Sequence, residues 1–421
     1  MKNPKLLISA ATMLIFSPLL SATEVTIKVE NPLNTARAGA PVTVSAADIH
    51  SLDDAYDGGN VAVYEGNTRI CSQLDDFDGD GKADELAFLL DMKAGESKKI
   101  RLITADATAA PCAAGRVHAQ LFLRDKSSNA IIPVPAAASP TGNLYNSLHH
   151  HGPAWETDLI AYRAYFDHKQ TIDVYGKRRQ QLELDASKWY PADEQLKQGF
   201  GDDILLVSGS VGVGTLKGWD GSKALHISPV GNREARIIAA GPLRTVVEMR
   251  VQKWMYMMDS LDIICRYITY AGHRDVEVRV VSSKPFAPNI QLCTGVQKMQ
   301  KSTEFFSDKA GLACVWGTGF PVNDTVKYGL QTAGLAVAIP AGVYNGDATD
   351  KYNHLTLLAP KGVKEFTYYF WAVSEKEEWW QMKTAKAFFD FSANEKHLAL
   401  NPPTVVFTIT ISGDEDSIPG K

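Results

Sequence analysis

Long runs in which apolar and polar residues alternate dominate the chain from Asn143 onward, and they constrain the fold more than any other feature. Leu159–Asp167, Leu243–Val251, Leu261–Tyr270, Val276–Val281, Gly334–Ile339, Phe366–Val373 and Thr404–Ile411 each read as a strand. Successive side chains on a strand point to opposite faces, so alternation leaves one face for a core and one for solvent or ligand. Strands of this length favour large stacked sheets over a small barrel. One helix is expected late: Ser374 followed by Glu377 fits a capping box, and Trp379, Met382, Ala385 or Lys386 and Phe389 follow at helical spacing. No tandem repeat, coiled coil or parallel βαβ rhythm is visible, which argues against dinucleotide chemistry. Gly209–Gly214 lacks the glycine order of a phosphate-binding loop and reads as a glycine-bent strand or turn.

Shorter β-rich runs precede this region, at Val25–Val29, Val42–Ala46, Val61–Glu65, Leu86–Asp91 and Lys99–Thr104. They predict a small β-sandwich module over residues 23–110, an Ala- and Pro-rich linker over 111–142, and a main β-domain over 143–421. At the very start, Lys2 and Lys5 precede the mostly apolar stretch Leu6–Phe16, then Pro18, Ser21 and Ala22. That order predicts a secretory signal over residues 1–22 and a periplasmic or secreted protein. The stretch is too short for a bilayer core that needs about 20 helical residues, so no membrane insertion is expected after cleavage. With 43 Lys+Arg against 48 Asp+Glu the chain carries a formal charge of −5, which excludes a generic grip on nucleic acid. Five cysteines are too few for a disulfide framework, and their odd number leaves at least one thiol free. Cys293 and Cys314 are an available pair; otherwise these residues read as small buried apolar groups.

The densest set of reactive groups begins at His149-His150-His151-Gly152-Pro153-Ala154-Trp155-Glu156. Gly152-Pro153 ends the histidine run in a turn, at the mouth of a strand in which Arg163, Tyr165 and Asp167 share one face and Tyr162, Ala164 and Phe166 the other. A second strand presents Asp173, Tyr175 and Lys177. Such a polar face is costly to bury unless every group is paired, and a ligand-facing cleft explains it well. Abstraction of the proton beside a uronate carboxylate needs charge neutralisation, a base and an acid. Arg163 can neutralise, and Tyr165 and His151 can divide the base and acid roles. Glycoside hydrolysis needs two carboxylates, for which Glu156 with Asp167 or Asp203 are available. An ion pair of Arg163 with Asp167 on a solvated sheet is the structural alternative. Three consecutive histidines diverge in an extended segment, so no His-bound metal is expected.

Sugar rings stack on aromatic side chains, and Trp155, Tyr162 and Trp219 are candidate platforms, with Glu156, Lys177 and Arg244 as polar substrate contacts. His226, His273 and Arg274 are weaker candidates of the same kind. In the first module Asp76, Asp78, Asp80 and Asp84, with Gly81, open like a calcium loop but lack its closing Glu and flanking helices. An Asp/Gly turn held by its own backbone is the competing reading. No organic cofactor is expected.

The segments His151–Glu156, Ala161–Asp167 and Ile172–Lys177, together with Asp78–Glu85, resemble the family described as domain of unknown function 4861. The resemblance spans nearly the whole chain. It implies an all-β fold, a large antiparallel β-supersandwich similar to galactose mutarotase, preceded by the small β-sandwich and with few helices. It also implies a role in polysaccharide degradation. On that footing β-elimination by a lyase or dehydratase on uronic-acid-containing oligosaccharides is the leading expectation. A glycoside hydrolase on the same substrates, a non-catalytic sugar-binding protein and a sugar epimerase or mutarotase are the alternatives.

Overall fold

The computed structural model describes residues 23–105, 112, 115–125, 127–128, 130–326, 328–381 and 383–407; the expected signal segment, residues 1–22, lies outside them. In the amino-terminal module alternation does what it predicts. Val25, Ile27 and Val29 of the strand Glu24–Glu30 turn inward, and Val42, Val44, Phe88, Leu90, Ile100 and Leu102 meet them in one core. A five-stranded and a three-stranded antiparallel sheet enclose that core. The outer strand of the larger sheet is Thr404–Phe407, which pairs with Glu24–Glu30, so the end of the described chain closes the first module.

The main body is built on a nine-stranded antiparallel sheet running from Ala136–Ser139 at one edge to Ser302–Ser307 at the other. Two five-stranded sheets pack on its inner face. One has the order Asp202–Asp203, Ile172–Gly176, Ile160–Ala164, Ala154–Thr157, Val117–Gln120; the other centres on Leu292–Gln297 and Asn353–Leu358. Trp155, Tyr162 and Val174 from the first, Leu292 and Val296 from the second, and Val247, Tyr267 and Phe370 from the nine-stranded sheet form one continuous core. This is the expected all-β supersandwich with its smaller companion. Val117–Gln120 and Phe122–Arg124 are strands, where a linker over 111–142 is the sequence expectation.

The Gly209–Gly214 segment stitches the two five-stranded sheets together, bridging Ile172 at Gly212 and Val296 at Val213. At Gly212 φ is +56° and a Cβ would sit 1.9 Å from the Ile172 carbonyl oxygen, so only glycine fits. The outer face of the nine-stranded sheet meets the amino-terminal module through Leu243, Val246, Ile268 and Tyr270 against Ala87 and Leu89. Toward the other end of the sheet the late helix covers Leu312, Cys314, Ala336 and Trp371.

That helix spans Ala385–Ala399 and starts later than the sequence suggests, capped by Thr384, whose hydroxyl accepts the Ala387 N–H at 3.3 Å. Ser374 instead ends a strand. The Ser374 N–H does donate to Glu377 Oε1 at 2.8 Å, half of a capping box, but Glu377 is drawn to Arg274, which donates to it at 3.1 and 3.0 Å. Met382 lies outside the described residues.

Cysteine pairing also differs from expectation. Cys71 and Cys112 form a disulfide, while Cys265, Cys293 and Cys314 are buried free thiols. Cys314 sits under the late helix and Cys293 beside Trp219 and Leu355, on separate sheets with the core between them.

Candidate functional site

On the strand Ile160–Ala164 the residues Ile160, Tyr162 and Ala164 enter the core, which sends Ala161 and Arg163 to the other face. Asp173 lies opposite Arg163 in the neighbouring strand. Arg163 Nη2 donates to Asp173 Oδ2 at 2.6 Å, to Asp203 Oδ2 at 3.0 Å and to the Tyr165 hydroxyl at 2.6 Å, while Nη1 donates to the Tyr190 hydroxyl at 3.1 Å. Tyr165 in turn donates to Asp173 at 2.9 Å. The guanidinium stacks 4.4 Å from the Trp189 ring centroid, and the residue is 3% exposed. Arg163 is therefore already fully engaged. The expected partner Asp167 instead accepts the Lys169 and Gln170 N–H groups of its own turn.

His149, His150 and His151 form one 3-10 turn, and each takes a different partner. His149 Nε2 meets the Lys188 carbonyl at 3.1 Å, His150 Nε2 meets the Gln120 amide at 3.2 Å, and His151 Nδ1 meets the Tyr145 carbonyl at 2.8 Å. A carbonyl only accepts, so His151 Nδ1 carries the proton and Nε2 presents its lone pair. The His151 ring stacks on Tyr145 at 3.8 Å and lies 6.0 Å from Tyr165, centroid to centroid. Burial holds the His151 pKa below its ordinary value, opposed in part by the Tyr145 carbonyl, so the ring is neutral at pH 7. Burial raises Asp203 to about 8, with Asp173 pushing the same way and Arg163 opposing, so Asp203 keeps its proton at pH 7. Burial first, and Asp173 with Asp203 after it, raise the Tyr165 phenol against the pull of Arg163, so it is neutral too.

Backbone strain gathers at the same place. His150, His151, Lys188 and Trp189 have φ of 43°, 69°, 50° and 76°, a region that costs a non-glycine residue on the order of 1–3 kcal/mol. Gly152 lies so close to the next strand that a Cβ would stand 1.9 Å from the Ala164 carbonyl oxygen. The resulting surface has Tyr190 exposed and Tyr145, His151, Tyr165 and Asp203 half-buried. It holds a neutral imidazole base, a guanidinium-supported phenol and a protonated carboxyl.

The other sequence candidates are elsewhere or are sealed. Glu156 and Lys177 form an ion pair with neither side chain exposed; Glu156 also accepts the Glu183 and Leu184 N–H groups. Both are structural, not substrate contacts, and the carboxylate pair expected for hydrolysis is not assembled. Trp155 and Tyr162 are wholly buried core residues. Trp219 is 6% exposed and packs beneath the second five-stranded sheet's outer surface, so it is not a turn-borne platform. Arg244 is 0% exposed and joins the two modules, donating to Asp75 at 2.6 Å and Glu85 at 2.7 Å. Arg274 pairs with Glu377, His273 lies beside Asp275, and His226 faces Lys217. Tyr145, Asp173, Trp189, Tyr190 and Asp203 complete the site; sequence offers Asp203 as a carboxylate for hydrolysis, Asp173 as part of a polar strand face and Trp189 and Tyr190 among the aromatic residues suited to sugar rings, and it gives Tyr145 no role. Asp173 comes with the neighbouring strand, but Tyr145, Trp189 and Tyr190 lie in turns that carry no periodic signal.

In the Asp76–Asp84 loop the carboxylates serve their own backbone. Asp76 accepts the Gly79 and Gly81 N–H groups, Asp78 that of Asp80, Asp80 that of Lys82, and Asp84 that of Phe77. Oxygens of Asp76, Asp78 and Asp84 come within 4.8 Å of one another, the donor type of a hard cation; Asp80 is not part of that group.

The chain belongs to the family described as domain of unknown function DUF4861, whose sequence profile matches residues 29–405. No curated protein matches it. Among solved structures it is similar to a glycosyl hydrolase family 38 protein from Enterococcus faecalis, at 10% identity and TM-score 0.47, covering 91% of this chain and 47% of the other. It is also similar to an alpha-mannosidase from Enterococcus faecalis V583, at 10% identity and TM-score 0.46, covering 91% and 46%. The chain thus spans about half the length of these two proteins.

Proposed function

We propose that the protein is a periplasmic or secreted carbohydrate-active enzyme that performs β-elimination on uronic-acid-containing oligosaccharides. His151 Nε2 removes the proton on the carbon beside the carboxylate, a carbon–carbon double bond forms, and the carbon–oxygen bond at the next carbon breaks. Tyr165 gives its proton to the departing oxygen, and Arg163, 2.6 Å away, stabilises the phenolate that this leaves. Arg163 acts through Tyr165 and is a positioning residue, in place of the carboxylate contact expected from sequence. The substrate carboxylate is met by the protonated Asp203 and by the Tyr190 hydroxyl, whose oxygen already accepts from Arg163.

The observation that carries this reading is the Nδ1–H bond of His151 to the Tyr145 carbonyl, which leaves the basic nitrogen at the surface beside a phenol. The product is conjugated and absorbs in the ultraviolet. Incubation with a panel of uronate oligosaccharides should raise that absorbance. A rise in reducing ends without it would indicate hydrolysis, with Asp203 the residue to mutate, and binding without turnover would indicate a sugar-binding protein. Calcium between Asp76, Asp78 and Asp84 is a separate proposal, tested by comparing the melting temperature with calcium and with a chelator.

A further inference from the structure

The second five-stranded sheet carries a cleft of about 390 Å³ on its outer side, lined by none of the residues placed around His151. Lys217 and Trp219 alternate with Gly218 along a short strand and so share that outer face; Gly218 turns toward the Tyr256 ring. Lys217, 1% exposed, lines the cleft with Lys223, His226, Asp350, Lys351 and Tyr352. Lys217 Nζ donates to the Lys169 carbonyl and lies 3.2 Å from His226 Nδ1. Among the described residues no carboxylate forms an ion pair with Lys217, Lys223 or Lys351. Asp350, the acidic residue of the lining, directs its oxygens to the N–H groups of Ala224, Tyr352 and Asn353 and to the Asn353 amide. Three lysines thus gather around the hollow; Asp350 in its lining, Asp220 beside Lys223 and Asp167 near Lys217 temper that charge without forming an ion pair with any of them. At its rim Tyr352 is 47% exposed, with Lys351 Nζ 4.9 Å from its ring centroid.

We infer that this cleft is a binding subsite for a sugar unit bearing an oxyanion, either a carboxylate or a sulfate ester. Lys223 and Lys351 at the surface take the anion, Lys217 adds positive charge from beneath, and Tyr352 stacks on the apolar face of the ring. Burial lowers Lys217 to about 7 while Asp167 works the other way, and an oxyanion in the cleft restores its charge. The cleft also touches the site above: Lys217 holds the Lys169 carbonyl in the turn that leads from Tyr165, whose N–H donates to the Thr171 carbonyl at 3.0 Å. The inference rests on the saccharide reading of the protein but not on its elimination chemistry.

Calorimetric titration with trigalacturonate, a sulfated disaccharide and neutral maltotriose tests it, using the full chain, Lys223→Ala/Lys351→Ala and Tyr352→Ala. These residues are at the surface, so the variants should fold, and circular dichroism checks that. At least one acidic probe should bind, about tenfold more weakly to the double variant and more weakly at high salt, with maltotriose not binding; which acid binds identifies the anion. Affinity unchanged in the double variant, equal binding of maltotriose, or no binding of either acid would overturn the inference. Binding lost in the double variant, with no elimination by any variant, would retain the subsite and reject the eliminase. Elimination with KM unchanged in the double variant would do the reverse.

Discussion

Replacing Glu156 with Gln separates a structural residue from a catalytic one. Glu156 and Lys177 are both sealed, and Lys177 Nζ also donates to the Thr157 and Gln181 carbonyls, at 2.5 and 2.6 Å. Glu156 accepts from Glu183 and Leu184 at 2.9 and 2.8 Å. The pair therefore fastens the segment after Lys177, which leads to Trp189 above Arg163, onto the sheet. Removing one partner of a buried pair leaves an uncompensated charge, at about 3–5 kcal/mol. Gln keeps the volume and one acceptor, so the lower end applies. At roughly 1 °C per kcal/mol for a chain of this size, the melting temperature should fall by about 3 °C or more. Scanning calorimetry measures this, with turnover assayed well below the transition. Activity per folded molecule should remain within a few-fold of wild type. A variant with unchanged melting temperature and abolished activity would refute this reasoning and reinstate Glu156 as a catalytic carboxylate.

The pH dependence of turnover should be bell-shaped. Activity rises as His151 loses its proton below its ordinary range and falls as Asp203 ionises near 8; a flat profile between pH 5 and 9 would contradict these assignments. Asp203 is raised in the folded state, so folding retains a proton that the unfolded chain releases above about pH 4. Its contribution therefore costs stability as pH climbs from about 4 to 8, and Asp203→Asn should flatten that decline in urea titrations. The Cys71–Cys112 bridge closes a loop with a sequence separation of 41, worth about 4 kcal/mol of chain entropy. Reduction should lower the melting transition of the amino-terminal module, and an unchanged transition would show that the bridge is not formed in solution.

Alternation made the sheets legible: inward Val25, Ile27 and Val29, or Tyr162 against outward Arg163, follow from the two-residue period alone. The grouping of Arg163, Tyr165 and Asp173 was readable for the same reason, since they are near neighbours on paired strands. What alternation does not report is what covers a face. Arg163 reads as a free guanidinium until Trp189 and Asp203 arrive from a non-periodic segment and enclose it. Glu156 and Lys177 look like substrate contacts for the same reason, because nothing local announces their mutual pairing. Arg244 at a strand start gives no hint of its partners in another module, 169 and 159 positions away. The late helix was misplaced because Glu377 has a stronger partner in Arg274 than any helix terminus offers.

The central claim is that His151 and Tyr165 act as base and acid on one substrate. The most direct test follows ultraviolet absorbance of the eliminated product with wild type, His151→Ala and Tyr165→Phe, each shown to be folded, on whichever uronate oligosaccharide the wild type turns over. Loss of either group should lower kcat by roughly 10²–10⁴-fold, and Tyr165→Phe, which keeps the ring, should leave KM within a few-fold. Both variants turning over at nearly the wild-type rate would contradict the account.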